Sequence, residues 1–286
     1  MGEKISEATY MSCRLKGKNQ IRQFRQVAER LLFQINACSN VAGIVFLGGL
    51  ARGFADKYSD VDVTVFLARK DELLRKKIRL NVLQEQKQSG SDVDLEIHYL
   101  NDFKEKVWDE TDRWDFSHAE VVFDPEDQIK RMLEAKLKVP EEFWVRRVVV
   151  CAEYMRWYCC PTQKNIDSIA EAWIDRGDML SAHYCLNYAI EMILEATFAL
   201  NKEFLPPQKW RMSYFQSLKW IPKNSKLLHE AIKIKDITAE DFDRRINIVR
   251  KIWQGVLRKI EEEIGLLSDE ITKYYVEKVL CQASVP

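Results

Sequence analysis

The stretch Gly48-Gly49-Leu50-Ala51-Arg52-Gly53-Phe54-Ala55-Asp56-Lys57-Tyr58-Ser59-Asp60-Val61-Asp62-Val63 decides how the chain is read. Just before it runs Val41-Ala42-Gly43-Ile44-Val45-Phe46-Leu47, whose length and β-branched content suit a strand buried on both faces. Two glycines closing such a strand let the backbone turn close to a ligand without interference from Cβ. N–H groups in such a turn can hold phosphate oxygens. Val61 to Leu67 reads as a second strand. Asp60 and Asp62 then project carboxylates on one face, about 7 Å apart at Cα. Like charges held that close repel, and a bound divalent cation is the usual relief. Oxygen ligands with room for water and phosphate favour magnesium or manganese.

Working outward, Ile21, Phe24, Val27, Leu31 and Ile35 recur at helical spacing and predict a helix over 20–37. Asp71 is placed to cap a helix through Leu83 or a little beyond. After the turn Ser89-Gly90-Ser91, residues 92–100 alternate: Val93, Leu95 and Ile97 face one way, and Asp94, Glu96 and His98 the other. Ala119 to Phe123, closed by Asp124-Pro125, predicts a further strand. Beyond Pro140 helical periodicity takes over. Asp178 caps a helix striped by Met179, Ala182, Leu186, Ala189, Ile193, Ala196 and Leu200. Pro206-Pro207 interrupts the chain before a long helix carrying Phe242, Ile246, Val249, Trp253, Val256, Ile260 and Ile264. The expected class is α+β: a mixed sheet with helices over 1–138, then an all-α helical bundle over 139–286.

The 286 residues are 47% apolar, enough for a sizeable core, and 44 basic residues balance 44 acidic ones. No global field therefore argues for nucleic acid or an anionic membrane as the main partner. The first twenty residues hold no apolar run of the kind a signal peptide needs, and no stretch reaches the roughly 18 apolar residues of a membrane span. The seven cysteines are odd in number, with Cys159 and Cys160 adjacent and no Cys-x-x-Cys pair. Free thiols in a reducing cytoplasm are the expectation.

The quoted stretch resembles the signature of the polymerase-β-like nucleotidyltransferase superfamily: a hydrophobic residue, Gly, Gly or Ser, a spacer, then Asp-hydrophobic-Asp. Its local form, Gly-Gly-x-Ala-Arg-Gly ending in Tyr-Ser-Asp-Val-Asp, is most similar to the small-molecule (aminoglycoside/lincosamide-type) branch with a helical carboxy-terminal domain. The resemblance implies a catalytic domain over 1–138 and a helical substrate- or nucleotide-binding domain over 139–286. It implies Mg2+ or Mn2+ on Asp60 and Asp62, with ATP or another nucleoside triphosphate as substrate. A nucleoside monophosphate would pass to a hydroxyl of a small-molecule acceptor, releasing pyrophosphate. It further implies a third carboxylate on a neighbouring strand. Glu96 is favoured as general base, in a string similar to the base-bearing strand of such enzymes, with Asp94 as the alternative that completes the metal site.

Gly48 and Gly49 would hold the triphosphate. The donor fork of Arg52 suits the same anion, the alternative being a surface arginine paired with Asp56. Ser59 either donates to phosphate or caps the turn. In the helical half, Phe204-Leu205-Pro206-Pro207-Gln208-Lys209-Trp210 resembles an element whose lysine reaches the nucleotide phosphates, which implicates Lys209. Glu191 and Glu195 are read as a solvated helix side rather than as a cationic-acceptor site. Arg176 and His183 have the spacing of a helical ribonuclease domain, with helix entry and packing the preferred roles. His98 is likewise expected to pack. The basic run Arg75-Lys76-Lys77-Ile78-Arg79 is expected to be a solvated face, and Trp108, Trp114 and Phe116 are expected to line a lid in an irregular segment. Protein-modifying adenylylation of the antitoxin kind, or nucleotide binding without transfer, are the competing functions. Template-directed synthesis is disfavoured by the neutral charge.

Overall fold

A computed structural model describes residues 17–161 and 167–263, and the chain divides into two compact units, Met1–Lys138 and Val139–Pro286. In the first, four strands form one mixed sheet in the order β3-β2-β1-β4, with β1 Val41–Phe46, β2 Val61–Leu67, β3 Val93–Tyr99 and β4 Glu120–Phe123. β1 is antiparallel to both β2 and β4, whereas β2 and β3 run parallel. A parallel pair needs a crossover, and the helix Glu72–Ser89 supplies it. Asp71 starts that helix by accepting the Leu74 N–H at 2.9 Å, and Gly90 ends it in the left-handed conformation, φ 69°.

The period-two pattern sorts each strand between two cores. Ile44, Phe46, Val61, Val63, Val65 and Leu67 face the helices Ile21–Asn36 and Glu72–Ser89. Val45 and Phe66 face the other way, onto Leu100, Phe103, Trp108, Phe116, Ile129, Met132 and Leu133. This second layer comes from the short helices Leu100–Glu105 and Glu110–Ser117 and the helix Gln128–Leu137. The segment read as irregular is therefore mostly helical, with Trp108 between its two short helices, and Trp108, Trp114 and Phe116 are all buried. The lid expectation is corrected on that ground. Along β2 the second face runs from Asp62 through buried Thr64 to Phe66, so carboxylate chemistry and apolar packing share one face at opposite ends.

Every described secondary-structure element of the second unit is a helix. The helix Met179–Leu200 is central, buried along most of its length, and packs on Glu141–Tyr158, Ile169–Asp175 and Ala239–Glu263. Asp178 caps it through the Ser181 N–H at 3.0 Å. A fully buried Arg245 ties three segments together. Its Nε donates to the Ala231 carbonyl at 2.7 Å, and its other nitrogens meet His183 Nδ1 at 2.7 Å and Asn187 Oδ1. His183 is thus a buried core residue engaged through Nδ1, while exposed Arg176 lies over Trp173 at 4.7 Å. No described helix is long and apolar enough to cross a membrane. Five cysteines are free thiols; Cys13 and Cys281, with Ile264, lie outside the described residues.

Candidate functional site

β1 ends at Phe46, and the two glycines open a five-residue helix, Gly48–Arg52, rather than a simple turn. The first N–H groups of any helix lack intrahelical carbonyls, so anion-binding donors remain part of this corner. Gly48 has φ +52°, and a Cβ there would fall inside the Asp62 carboxylate. At Gly49 a Cβ would lie 2.6 Å from the Phe54 carbonyl oxygen. Glycine is required at 48 on two counts: the left-handed backbone, and the carboxylate packed against it. Arg25 and Asn19 pin the segment by donating to the Leu50 and Gly53 carbonyls at 3.2 and 3.1 Å. Gly48→Ala is therefore expected to cost at least 2 kcal/mol of stability, as backbone strain and clash add. It should also weaken Mn2+ binding more than tenfold by displacing Asp62. Melting and manganese titration of the variant check both, and parent-like values would contradict the packing.

Asp60 and Asp62 are joined by Asp94: one carboxylate oxygen from each of the three lies within 4.8 Å of the others. The register explains why. In the parallel β2–β3 pairing Asp62 sits opposite Asp94, and Thr64 opposite Glu96. Glu96 projects on the same face but one rung pair further on, about 7 Å along the strand. It is 58% exposed and engages His98 Nε2 at 2.9 Å. That partner holds its carboxyl below the usual range against the opposing effect of burial. The third carboxylate of the cluster is thus the alternative, Asp94, and not the favoured Glu96. His98 packs on Phe103, ring centroids 4.5 Å apart.

The cluster stores electrostatic tension. Burial pushes the Asp62 carboxyl up to about 6, the charges of Asp60, Asp94 and Asp115 add to the shift, and Arg52 opposes it. Arg52 is no surface arginine. It is 8% exposed, and its Cζ stands 4.9 Å from the Trp114 ring centroid. Asp56 instead belongs to the turn, where its N–H donates to Ser59 Oγ at 3.0 Å and its carboxylate accepts the Tyr58 N–H at 3.0 Å. Ser59 Oγ makes the turn-capping contact there. Lys209 lies in the other unit, exposed in the first turn of the helix Gln208–Phe215. Glu191 and Glu195 are ion-paired rather than solvated: Arg211 lies 2.8 Å from Glu191, and Arg147 lies 3.7 Å from Glu195. They present no unbalanced negative charge to a cationic acceptor.

Asp115, whose charge reaches Asp62, is not singled out by the sequence, because it lies more than fifty positions from Asp62 on a short helix of weak periodicity; Trp114 is singled out, but for a lid and not for its contact with Arg52. Three mutually close carboxylates, hard oxygen donors against a glycine-lined backbone, fit a divalent cation, whose charge would offset the burial and the neighbouring charges that together lift Asp62.

Residues 24–157 match the family model described as the nucleotidyltransferase domain. Among solved structures, a nucleotidyltransferase-like protein from Exiguobacterium sibiricum 255-15 is similar at 12% identity and a TM-score of 0.39, covering 89% of this chain and 77% of that one. No curated protein matches.

Proposed function

From the premise that the chain carries a nucleotidyltransferase domain and is a transferase of that kind, we propose that it moves a nucleoside monophosphate from ATP or another nucleoside triphosphate to a hydroxyl of a small-molecule acceptor. The observation that carries this reading is the Asp60–Asp62–Asp94 cluster set against Gly48. These three carboxylates would hold Mg2+ or Mn2+, which when bound supplies charge stabilisation for the attacking and leaving oxygens. Gly48, Gly49 and Arg52 would receive the triphosphate, the arginine through donors lying in the plane of its fork.

The acceptor oxygen attacks the α-phosphorus in line. The new P–O bond forms as the bond to the bridging oxygen of the β-phosphate breaks, and pyrophosphate leaves. We assign the acceptor's proton to Asp94, whose carboxylate stands in the cluster, rather than to Glu96, which is turned to His98. The reducing cytoplasm is the setting that free thiols suit.

The test is incubation of the chain with each labelled nucleoside triphosphate, magnesium and a panel of hydroxylated metabolites and antibiotics. A labelled small-molecule adduct formed with one pyrophosphate per turnover supports the proposal. Label on protein alone would replace it with a protein-modifying activity. A binding experiment accompanies it. A triphosphate with magnesium at about a hundredfold its dissociation constant should add about 2.7 kcal/mol of stability. The same triphosphate with a chelator should raise the melting temperature far less, and a shift indifferent to metal would remove Asp60 and Asp62 as ligands.

A further inference from the structure

Trp114 differs from its aromatic neighbours. Trp108 and Phe116 stack on each other, centroids 4.9 Å apart, and belong with Phe66 and Phe103 to the core beneath the sheet. Trp114 is just as buried, at 2% exposure, but stands outside that cluster with its ring against the Arg52 guanidinium. We propose that Trp114 is a positioning residue of the nucleotide site, its indole face fixing the plane of Arg52 so that the guanidinium edge meets the triphosphate. The inference rests on the reading of Arg52 as a triphosphate ligand.

Stacking occupies the face of a guanidinium, while its N–H bonds lie in the plane and stay directed at the edge. With its Cζ held 4.9 Å from the indole centroid, Arg52 has little room to swing, which makes it an aimed donor rather than a diffuse charge. Next, the platform is itself held. The helix Glu110–Ser117 begins with a reciprocal cap, in which Asp109 accepts the Asp112 N–H at 2.8 Å and Asp112 accepts the Asp109 N–H at 3.3 Å. The His118 ring also lies 5.0 Å from the indole, and His118 Nδ1 meets the Trp114 carbonyl at 2.8 Å. Finally, Arg52 is the last residue of the short helix that Gly48 opens, and left-handed Gly53, φ 77°, ends it. Its backbone is thus fixed from one end and its head group from the other.

The experiment is a double-mutant cycle on the full chain, with magnesium tripolyphosphate as probe so that no nucleobase preference enters, and with Mn2+ alone as control. Trp114→Leu is expected to weaken tripolyphosphate binding about tenfold, within the range of a desolvated cation–aromatic contact, while Mn2+ affinity stays within about twofold. Trp114→Phe should recover all but about threefold of the loss. The double variant Arg52→Ala/Trp114→Leu should bind no more weakly than Arg52→Ala, because the tryptophan acts only through the arginine. Fully additive losses would overturn the proposal, as would unchanged binding in Trp114→Leu beside a weakened Arg52→Ala. Unchanged binding in Arg52→Ala would instead remove the arginine as a ligand, and the inference with it. If Trp114→Leu does not fold, the same cycle run with Trp114→Phe decides it.

Discussion

Asp62→Asn is expected to abolish nucleotidyl transfer and yet to melt several degrees above the parent chain in metal-free buffer at pH 7. The first half follows from chemistry: losing a ligand of a catalytic divalent ion removes several kcal/mol of transition-state stabilisation, a rate loss of about a thousandfold or more. The second half follows from linkage. The folded-state Asp62 carboxyl titrates at about 6 rather than at its ordinary 3.8, chiefly through burial and then through Asp60. An acid whose pKa is raised by folding binds its proton more tightly in the native state. Stability from this group is therefore present below the unfolded value, falls as pH rises from about 4 to about 6, and stays low above that. At pH 7 the ionised carboxylate costs about 2–3 kcal/mol, which asparagine removes. The gap between variant and parent should close as the buffer is taken from pH 7 toward pH 4. A variant that melts below the parent at pH 7, or keeps more than about a tenth of the rate, would sink this account of the site.

The next largest effect separates two neighbours on one strand. Asp94→Asn should lower the single-turnover rate about 10²- to 10⁴-fold and weaken Mn2+ binding, since it removes both a cluster oxygen and the proposed proton acceptor. Glu96→Gln should change either quantity by less than about fivefold, because its carboxylate is exposed and engaged with His98. Both residues project away from the core built on Ile97, Val93 and Leu95, so neither change should disturb the fold. The opposite pattern, a crippled Glu96→Gln beside a competent Asp94→Asn, would move the base to Glu96 and leave the cluster a binding site only.

What the sequence revealed of this site was whatever local chemistry encodes. Asp60, Asp62 and the double glycine are adjacent in the chain, and the alternation of 93–99 is written in period two, so the strands and their outward carboxylates were legible. Which of Asp94 and Glu96 completes the cluster was not. Both occupy the same face, and only the pairing of Asp62 with Asp94 across two strands decides between them. The same limit applies to Arg52, Glu191 and Glu195, whose burial and partners come from elements far away in sequence. The two short helices after β3 escaped because six and eight residues give too little periodicity, although Asp109 and Asp112 mark a start. Aromatic residues there read as a binding loop when no helix was expected to bury them.

The parallel pairing of β2 with β3 gives the site a place in time as well as in space. Asp60 and Asp62 can meet Asp94 only after the chain has passed through the crossover helix Glu72–Ser89 and returned to the sheet with the correct register. Local hairpin closure between β1 and β2 brings no third carboxylate, and non-local parallel pairing belongs to the slow part of assembly. A cation that needs all three groups has nothing to grip in the early collapsed chain. Its hold would therefore be on the departure from the native state, slowing unfolding rather than hastening folding. For this chain the metal would be a lock fitted after construction, not a scaffold around which the sheet is built.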